Sequence, residues 1–107
     1  MNLDKIDHIA IQVNDINKSL NWYLKNFRCK KIYSDNTWAF IEFNNIKLAL
    51  VKKEEHPSHF AVVDDNITMK EDIKKHRDNS ISKYIDDPDK NKIELIKFLE
   101  KNEINNY

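Results

Sequence analysis

Two histidines and one glutamate, His8, His59 and Glu94, lie in apolar segments that are otherwise typical of β-strands. Two imidazoles and one carboxylate suit a divalent metal ion such as Fe, Zn, Mn, Ni or Co, and three protein ligands leave open positions for water, substrate or dioxygen. Taken singly, each residue has a plainer interpretation, because a strand histidine is usually a hydrogen-bonded core or rim residue and a strand glutamate often lies at an exposed edge. The chemistry depends on whether the three positions meet in space.

An internal repeat relates the three positions to one another. Residues 59–65 align with residues 8–14, histidine on histidine and alanine on alanine. Residues 92–97 align with residues 47–52, which sets Glu94 at the position of Ala49. Repetition of a unit that cannot bury its own apolar face predicts that the two copies pack together. If a pseudo-two-fold axis relates the copies, their equivalent strands face one cup, where the histidines and the glutamate could converge.

Each copy of the repeat predicts a strand, a helix and further strands. In the first copy, residues 5–13 alternate as a strand does, and apolar residues recur at helical spacing from Ile16 to Phe27. Three short apolar runs separated by Asn and Asp turns follow, which predicts the order β-α-β-β-β. The second copy is shorter, and it predicts a strand from His59, a helix at about Thr68 to His76, a strand from Ser80 to Asp86 and a last strand around Glu94.

Length, charge and cysteine content narrow the class of protein. The chain has 107 residues, the size of one domain, with 18 basic against 18 acidic side chains. Balanced charge gives no general attraction for nucleic acid or an anionic membrane, so we predict neither as a partner. No stretch approaches the roughly 20 apolar residues that span a bilayer, and the N-terminus lacks a secretory signal. Because Cys29 is the only cysteine, no disulfide framework exists, and we predict a cytoplasmic protein.

The chain contains no glycine, so its turns must be built from other residues. A turn that needs a positive φ usually takes glycine, and Asn or Asp are the next most tolerant residues. We therefore predict positive φ values in the turns at Asp35-Asn36, Asn44-Asn45 and Lys90-Asn91.

The most specific motif is Asp87-Pro88-Asp89-Lys90-Asn91-Lys92-Ile93-Glu94-Leu95, a turn followed by a strand. With Asp7-His8-Ile9-Ala10-Ile11-Gln12-Val13, Ser19-Leu20-Asn21-Trp22-Tyr23 and His59-Phe60-Ala61-Val62, it resembles the vicinal oxygen chelate superfamily of glyoxalase I, extradiol dioxygenases, methylmalonyl-CoA epimerase and the fosfomycin and bleomycin resistance proteins. The resemblance covers about residues 5–98, although Lys90 stands where the family turn has glycine. It implies an α+β fold in which paired βαβββ modules, residues 5–52 and a shortened 58–98, form a curved, cup-like mixed β-sheet with helices outside, before a polar tail at 99–107.

The resemblance also implies a site and a function. Family members bind a divalent metal ion on the inner face of the paired modules, which implies that His8, His59 and Glu94 are the metal ligands. Ala49 cannot supply the further carboxylate of the glyoxalase pattern, so the site is similar to the three-ligand type. The implied protein is a metal-dependent enzyme, glyoxalase-like or dioxygenase-like, which acts as a homodimer on a small molecule that chelates the metal through neighbouring oxygens. The catalytic residues and the reaction type stay open.

Other polar side chains are weaker candidates for the site. Trp38 and Tyr84 could line the cup and Arg77 could hold an anionic substrate, although surface or core positions explain each of them as well. His56 could stand at the entrance, and His76 could complement the dipole at the end of the second helix. The main alternative function is a metal-free protein that sequesters a drug or metabolite, as bleomycin resistance proteins do, and a further one is a degenerate module that binds a partner protein.

Overall fold

A computed structural model describes residues 1–67, 73–76 and 79–99 of the chain. One sheet of eight strands has the spatial order β2-β3-β4-β1-β5-β8-β7-β6 and curls into a half-barrel. The pairs β1/β4 and β5/β8 are parallel and the other neighbours are antiparallel, so the α+β prediction with a mixed, curved sheet is confirmed. The elements are β1 (Ile6–Gln12), α1 (Ile16–Asn26), β2 (Lys30–Ser34), β3 (Trp38–Glu42), β4 (Lys47–Val51), β5 (His59–Val63), β6 (Lys74–Lys75), β7 (Ser80–Asp86) and β8 (Lys92–Phe98).

The two copies of the repeat occupy the two halves of this sheet. The first strands, β1 and β5, lie side by side and antiparallel at the centre, and each has the last strand of its own copy, β4 or β8, as its parallel outer neighbour. This is the arrangement that a pseudo-two-fold relation between the copies predicts. The second copy is shortened in its second strand, since β6 has only two residues where β2 has five.

The helix predicted at about Thr68 to His76 is wrong at its end. Residues 68–72 lie outside the described residues, but Lys74 and Lys75 pair with β7 as a strand. The backbone N–H of His76 then donates to the carbonyl of Ser80 at 2.8 Å, which continues the antiparallel ladder. Tertiary pairing with β7 therefore overrides the local helical pattern there. Of the polar tail predicted at residues 99–107, only the first residue is described.

Helix α1 packs the first copy's apolar residues on one face of the sheet. Its N-cap is Asp15, whose side chain accepts a hydrogen bond from the backbone N–H of Lys18 at 3.0 Å. The apolar residues at helical spacing include the buried Ile16 and Leu20, which pack against Leu50 and other core residues of β3 and β4. The opposite face of the sheet is therefore left for polar side chains and solvent.

The turn between β7 and β8 sets the position of the last strand. The carboxylate of Asp87 accepts hydrogen bonds from the backbone N–H groups of Asp89 and Asn91 and from the Asn91 side chain, each at 2.9 Å. Lys90 has a φ of 70°, which confirms a positive φ at this turn. The hydrogen bonds hold Lys90 in a conformation that costs a residue with a Cβ about 1 kcal/mol.

The positive φ values predicted for the other two turns are wrong, since among the described residues only Asn79 and Lys90 have them. The Asp35 turn shows why glycine is not needed. The Asp35 carboxylate accepts hydrogen bonds from the backbone N–H groups of Thr37 at 2.7 Å and Trp38 at 3.0 Å. A side chain that mimics a backbone turn in this way lets every residue keep a negative φ.

Within the part of the chain that the structure describes, no helix has the length and apolar character required to cross a membrane.

Replacing Lys90 by glycine should leave the free energy of unfolding unchanged or raise it by up to about 1 kcal/mol. Glycine adopts a positive φ without the steric strain that Lys90 bears, and this gain offsets the greater conformational entropy of glycine in the unfolded chain. The matched control is Lys30→Gly in β2, where the same change should lower stability by about 0.5–1 kcal/mol. Urea unfolding of both variants measures the difference. If both substitutions lowered the free energy of unfolding equally, the inference that Lys90 is strained by its positive φ would be wrong.

Candidate metal site

The register of the central strands brings His8, His59 and Glu94 together on the face opposite α1. Ala61, in the middle of β5, pairs with His8 on β1 and with Glu94 on β8. Paired residues point to the same side of a sheet with their Cβ atoms about 5 Å apart, so the two long side chains flank a methyl group and meet above it. His59 points to the same face as Ala61, two residues earlier on the strand, and pairs with Ala10 of β1.

One carboxylate oxygen lies between the two imidazoles. Oε1 of Glu94 is 3.2 Å from Nε2 of His8 and 3.3 Å from Nε2 of His59. One potential ligand atom from each of the three residues lies within 4.8 Å of the others, and Glu94 is only 6% exposed. Ligand atoms about 2.0–2.1 Å from a tetrahedral zinc ion would be about 3.3 Å apart, so the spacing around Oε1 matches a metal site.

The other ring nitrogen of His8 is held by its neighbour in sequence. The register between β1 and β5 shifts between Ile6 and His8, which makes Asp7 the extra residue of a β-bulge. In a regular strand adjacent residues point to opposite faces, but at the bulge the Asp7 carboxylate reaches Nδ1 of His8 at 2.8 Å. The hydrogen bond from His8 holds the pKa of Asp7 below its usual range, and the ammonium of Lys47 donates to the second oxygen at 3.3 Å.

The other ring nitrogen of His59 is held by the backbone. Nδ1 of His59 is 2.8 Å from the carbonyl oxygen of Pro57, which can only accept, so Nδ1 carries the proton. The same reasoning assigns a proton to Nδ1 of His8, which faces the ionised Asp7. In the neutral rings both Nε2 lone pairs then point at one oxygen of Glu94, and three acceptors face one another. A metal ion satisfies all three, and metal-bound histidines characteristically donate their second nitrogen to a carboxylate or carbonyl in this way.

In the metal-free protein, a proton on His8 takes the place of that cation. Burial lowers the pKa of His8, but hydrogen bonds to the carboxylates of Asp7 and Glu94 outweigh it and raise the pKa to about 9. Burial likewise raises the pKa of Glu94, but its contacts with the His59 ring, with the protonated His8 and with the Ser82 hydroxyl hold that pKa well below its usual range. The glutamate is thus ionised, and below about pH 9 the protonated His8 supplies the compensating positive charge.

A polar wall, formed by Ser82, Tyr84, His76 and His56, borders the site on the side of β7. Tyr84 pairs with Glu94 across β7 and β8, and its hydroxyl lies 3.5 Å from Nδ1 of His59 and 3.4 Å from Nδ1 of His56. Burial and the charge of Glu94 raise the pKa of Tyr84, so the phenol stays protonated. Burial and nearby positive charges lower the pKa of His56, which favours its neutral form.

An aromatic wall, formed by Phe40, Trp38 and Tyr33, borders the opposite side. The ring centroid of Phe40 is 5.4 Å from that of His8, Trp38 is 5.4 Å from Phe40, and Tyr33 is 5.2 Å from Trp38. The ammonium of Lys47 lies 5.5 Å from the centroid of Phe40. The rings form a continuous apolar row that leads away from His8 along the first copy of the repeat.

The structure brings together most of the residues that the sequence suggests. His8, His59 and Glu94 converge, and Tyr84 contacts His59 with ring centroids 5.0 Å apart. Trp38 is separated from His8 by the Phe40 ring, and Arg77 lies outside the described residues.

Sequence reasoning missed Asp7 and Ser82 as neighbours of the triad formed by His8, His59 and Glu94, and it missed the role of His76. Strand alternation predicts that the side chains of Asp7 and His8 point to opposite faces of the sheet, and only the β-bulge brings the two side chains together. His76 does not end a helix; its Nε2 lies 2.6 Å from Oγ of Ser82 and 3.7 Å from Oε2 of Glu94. A useful signal was available in Ser82 and Tyr84, which stand two residues apart and therefore on one face of the strand beside Glu94.

Comparisons with known proteins agree with this architecture. A family model described as the Glyoxalase/Bleomycin resistance protein/Dioxygenase superfamily matches residues 5–68. A solved structure of a hypothetical protein from Bacillus halodurans is similar to the chain at a TM-score of 0.73 and 18% identity, covering 94% of this chain and 98% of that one. A superfamily member from Vibrio splendidus has a TM-score of 0.65 at 12% identity, covering 89% of this chain and 99% of that one. At these identities the likeness to the solved structures shows the fold alone. A search of curated proteins gives no significant match.

The stability of the metal-free protein should fall as the pH rises from about 6.5 to about 9. His8 has a folded pKa of about 9 against an ordinary value of 6.5, so its stabilising contribution is complete below 6.5 and is lost as the pH passes through 9. The loss should be on the order of 2–3 kcal/mol. Urea unfolding in the presence of a chelator measures it, and His8→Gln should flatten the profile over this range. An equally steep profile in His8→Gln would assign the effect to another group.

Proposed function

The chain belongs to the glyoxalase/bleomycin resistance protein/dioxygenase superfamily, and we propose that it is a divalent-metal-dependent enzyme acting on a small molecule. His8, His59 and Glu94 would bind the metal ion, and the substrate would chelate it through neighbouring oxygens. The match of a family model to residues 5–68 and the convergence of the three side chains support this proposal.

The observation that carries the proposal is the hydrogen bonding of the two histidines. Each ring donates its Nδ1 proton away from the site, His8 to Asp7 and His59 to the Pro57 carbonyl, and each Nε2 is within 3.3 Å of the same carboxylate oxygen. A purely structural histidine needs one hydrogen-bond partner and no particular tautomer. A site that binds a cation is expected to hold both histidines with Nδ1 protonated and both Nε2 atoms beside one buried carboxylate.

When bound, the divalent ion supplies Lewis-acid stabilisation of negative charge on a substrate oxygen. The chain's own residues prepare the surroundings for such a substrate. Tyr84, whose phenol stays protonated, can donate a hydrogen bond to a substrate oxygen beside the triad. On the other side of the site, Phe40 and Trp38 offer an apolar surface to the rest of the substrate.

The aromatic wall also favours a second candidate function, a binding protein that sequesters a small molecule without metal. The neighbouring rings of Tyr33, Trp38 and Phe40, tilted by 34° and 44° to one another, give a ligand an aromatic surface that does not depend on the triad. Under this alternative, ligand affinity should be insensitive to a chelator and to Glu94 substitution. Under the leading proposal, both treatments should abolish productive binding.

The proposal also includes the assembly and location of the protein. We propose that one domain spans residues 1–107 and that the protein acts as a homodimer, since members of the superfamily commonly form dimers. We propose a cytoplasmic location because the sequence has one cysteine and no disulfide framework. Analytical ultracentrifugation at several concentrations tests the homodimer, and a single monomeric species throughout would contradict it.

Purified protein reconstituted with Fe(II), Zn(II), Mn(II), Co(II) or Ni(II) should retain about one ion per chain after desalting, because three protein ligands hold it. Glu94→Gln keeps the side-chain shape but removes the charge, and it should weaken affinity by more than the roughly 100-fold that loss of a ligand's hydrogen-bond partner can cost. Elemental mass spectrometry and competition with a chromophoric chelator measure both.

The matched control is Glu42→Gln, which makes the same change on an exposed strand residue and should bind metal like the wild type. Absence of retained metal in the wild type would sink the enzyme proposal in favour of the binding protein. Equal retention by wild type and Glu94→Gln would show that the ion binds elsewhere.

A further inference from the structure

We propose that Ser82 and His76 form a hydrogen-bonded relay that fixes the second oxygen of Glu94, so that Glu94 presents only Oε1 to the metal ion. The two are therefore positioning residues for a ligand and do not bind the metal themselves. This inference rests on the proposed metal-dependent function, and it assigns a role to two side chains that the triad alone leaves unexplained.

Ser82 is placed to reach Glu94 from the neighbouring strand. It is 2% exposed on β7, on the same face as Tyr84, which pairs directly with Glu94. Its hydroxyl donates a hydrogen bond to the Glu94 carboxylate. A buried hydroxyl beside a buried carboxylate is stabilising only while that bond is made, so Ser82 restricts the rotation of the carboxyl group.

The protons of the relay can be counted. A serine hydroxyl has one proton, and Ser82 uses it on Glu94. Oγ of Ser82 is also 2.6 Å from Nε2 of His76, so in this contact the imidazole must be the donor and the hydroxyl oxygen the acceptor. The order is therefore His76 N–H to Ser82 O–H to Glu94 carboxylate, with every donor used once.

This count also distinguishes His76 from a fourth metal ligand. Its Nε2 is 3.7 Å from Oε2 of Glu94, too far for a hydrogen bond, and its proton points to Ser82. A nitrogen that carries a proton has no lone pair for a metal ion. His76 is also more accessible than the triad, with 33% of its side chain exposed.

The short strand β6 positions His76 for this contact. Lys74 and Lys75 pair with Ser82 and Ile81, and the next backbone N–H, that of His76, donates to the carbonyl of Ser80. The imidazole is thereby anchored against the strand that carries Ser82. Oε1 of Glu94 faces the two Nε2 atoms of His8 and His59, whereas Oε2 is the oxygen on the side of His76, 3.7 Å from its Nε2.

The test compares metal affinity and the visible spectrum of the Co(II)-substituted protein in matched pairs of variants. Ser82→Ala removes the donor and should weaken Zn(II) and Co(II) affinity about 10–100-fold, the usual effect of losing a ligand's hydrogen-bond partner. It should also shift the Co(II) spectrum, because a released carboxylate can bind through both oxygens. Ser82→Thr, which restores a hydroxyl, should recover affinity and spectrum.

His76→Phe should weaken binding less than Ser82→Ala does, and His76→Gln, which retains a side-chain N–H in a similar place, should recover it. Ser80→Ala is the control, since it removes a buried hydroxyl from the same strand at a position that pairs with Phe98, away from Glu94. Circular dichroism and urea unfolding verify that each variant folds. The control should match the wild type in metal affinity.

Wild-type affinity and an unchanged Co(II) spectrum in Ser82→Ala would overturn the relay while leaving the metal site intact. Loss of metal from His76→Phe as complete as that from Glu94→Gln would also overturn it, because His76 would then be a ligand. A wild-type protein that binds no metal would overturn the proposed function together with the relay.

Discussion

The buried negative charge of Glu94 is the constraint on which the rest of the site depends. A carboxylate that is 6% exposed in the middle of a sheet is tolerable only beside a cation and fully hydrogen-bonded. The chain meets this requirement with two imidazoles at one oxygen and a serine hydroxyl on the same group. On the far side of His8, the Asp7 carboxylate accepts a hydrogen bond from the imidazole, and the Lys47 ammonium in turn donates to Asp7. The same arrangement has room at its centre for a proton or for the metal ion that we propose.

The repeat is what makes this convergence possible in so short a chain. Histidine and alanine stand two residues apart in both central strands, and the antiparallel register sets each histidine opposite the alanine of the other strand. Small side chains at Ala10 and Ala61 leave the space in which the long ones meet. The symmetry ends at the last strands, where Ala49 and Glu94 occupy equivalent registers beside Ala10 and Ala61. The second copy therefore supplies the carboxylate of Glu94, and the first copy supplies the aromatic surface beside His8.

The sequence predicts the fold and the triad better than the neighbours of the triad. The repeat matches His8 with His59 and Ala49 with Glu94. Matched residues keep the same register in their strands, and register decides which side chains share a face of the sheet. Asp7 escapes prediction because a β-bulge cannot be read from alternation. His76 was assigned to a helix end because local spacing cannot show that Lys74 and Lys75 pair with β7. The turn at Asp35 needs no positive φ because its side chain completes the hydrogen bonds, which residue type alone does not reveal.

In the metal-free protein, the proton on His8 that faces Glu94 occupies the place of the metal ion that we propose. Calorimetric titration of the metal-free protein with Zn(II) at about pH 7.5, in buffers of different ionisation enthalpy, tests it most directly. Because the pKa of His8 is raised to about 9, we expect release of about one proton for each ion bound. Binding with no proton release would contradict it, since the ion would then occupy a site that does not include His8.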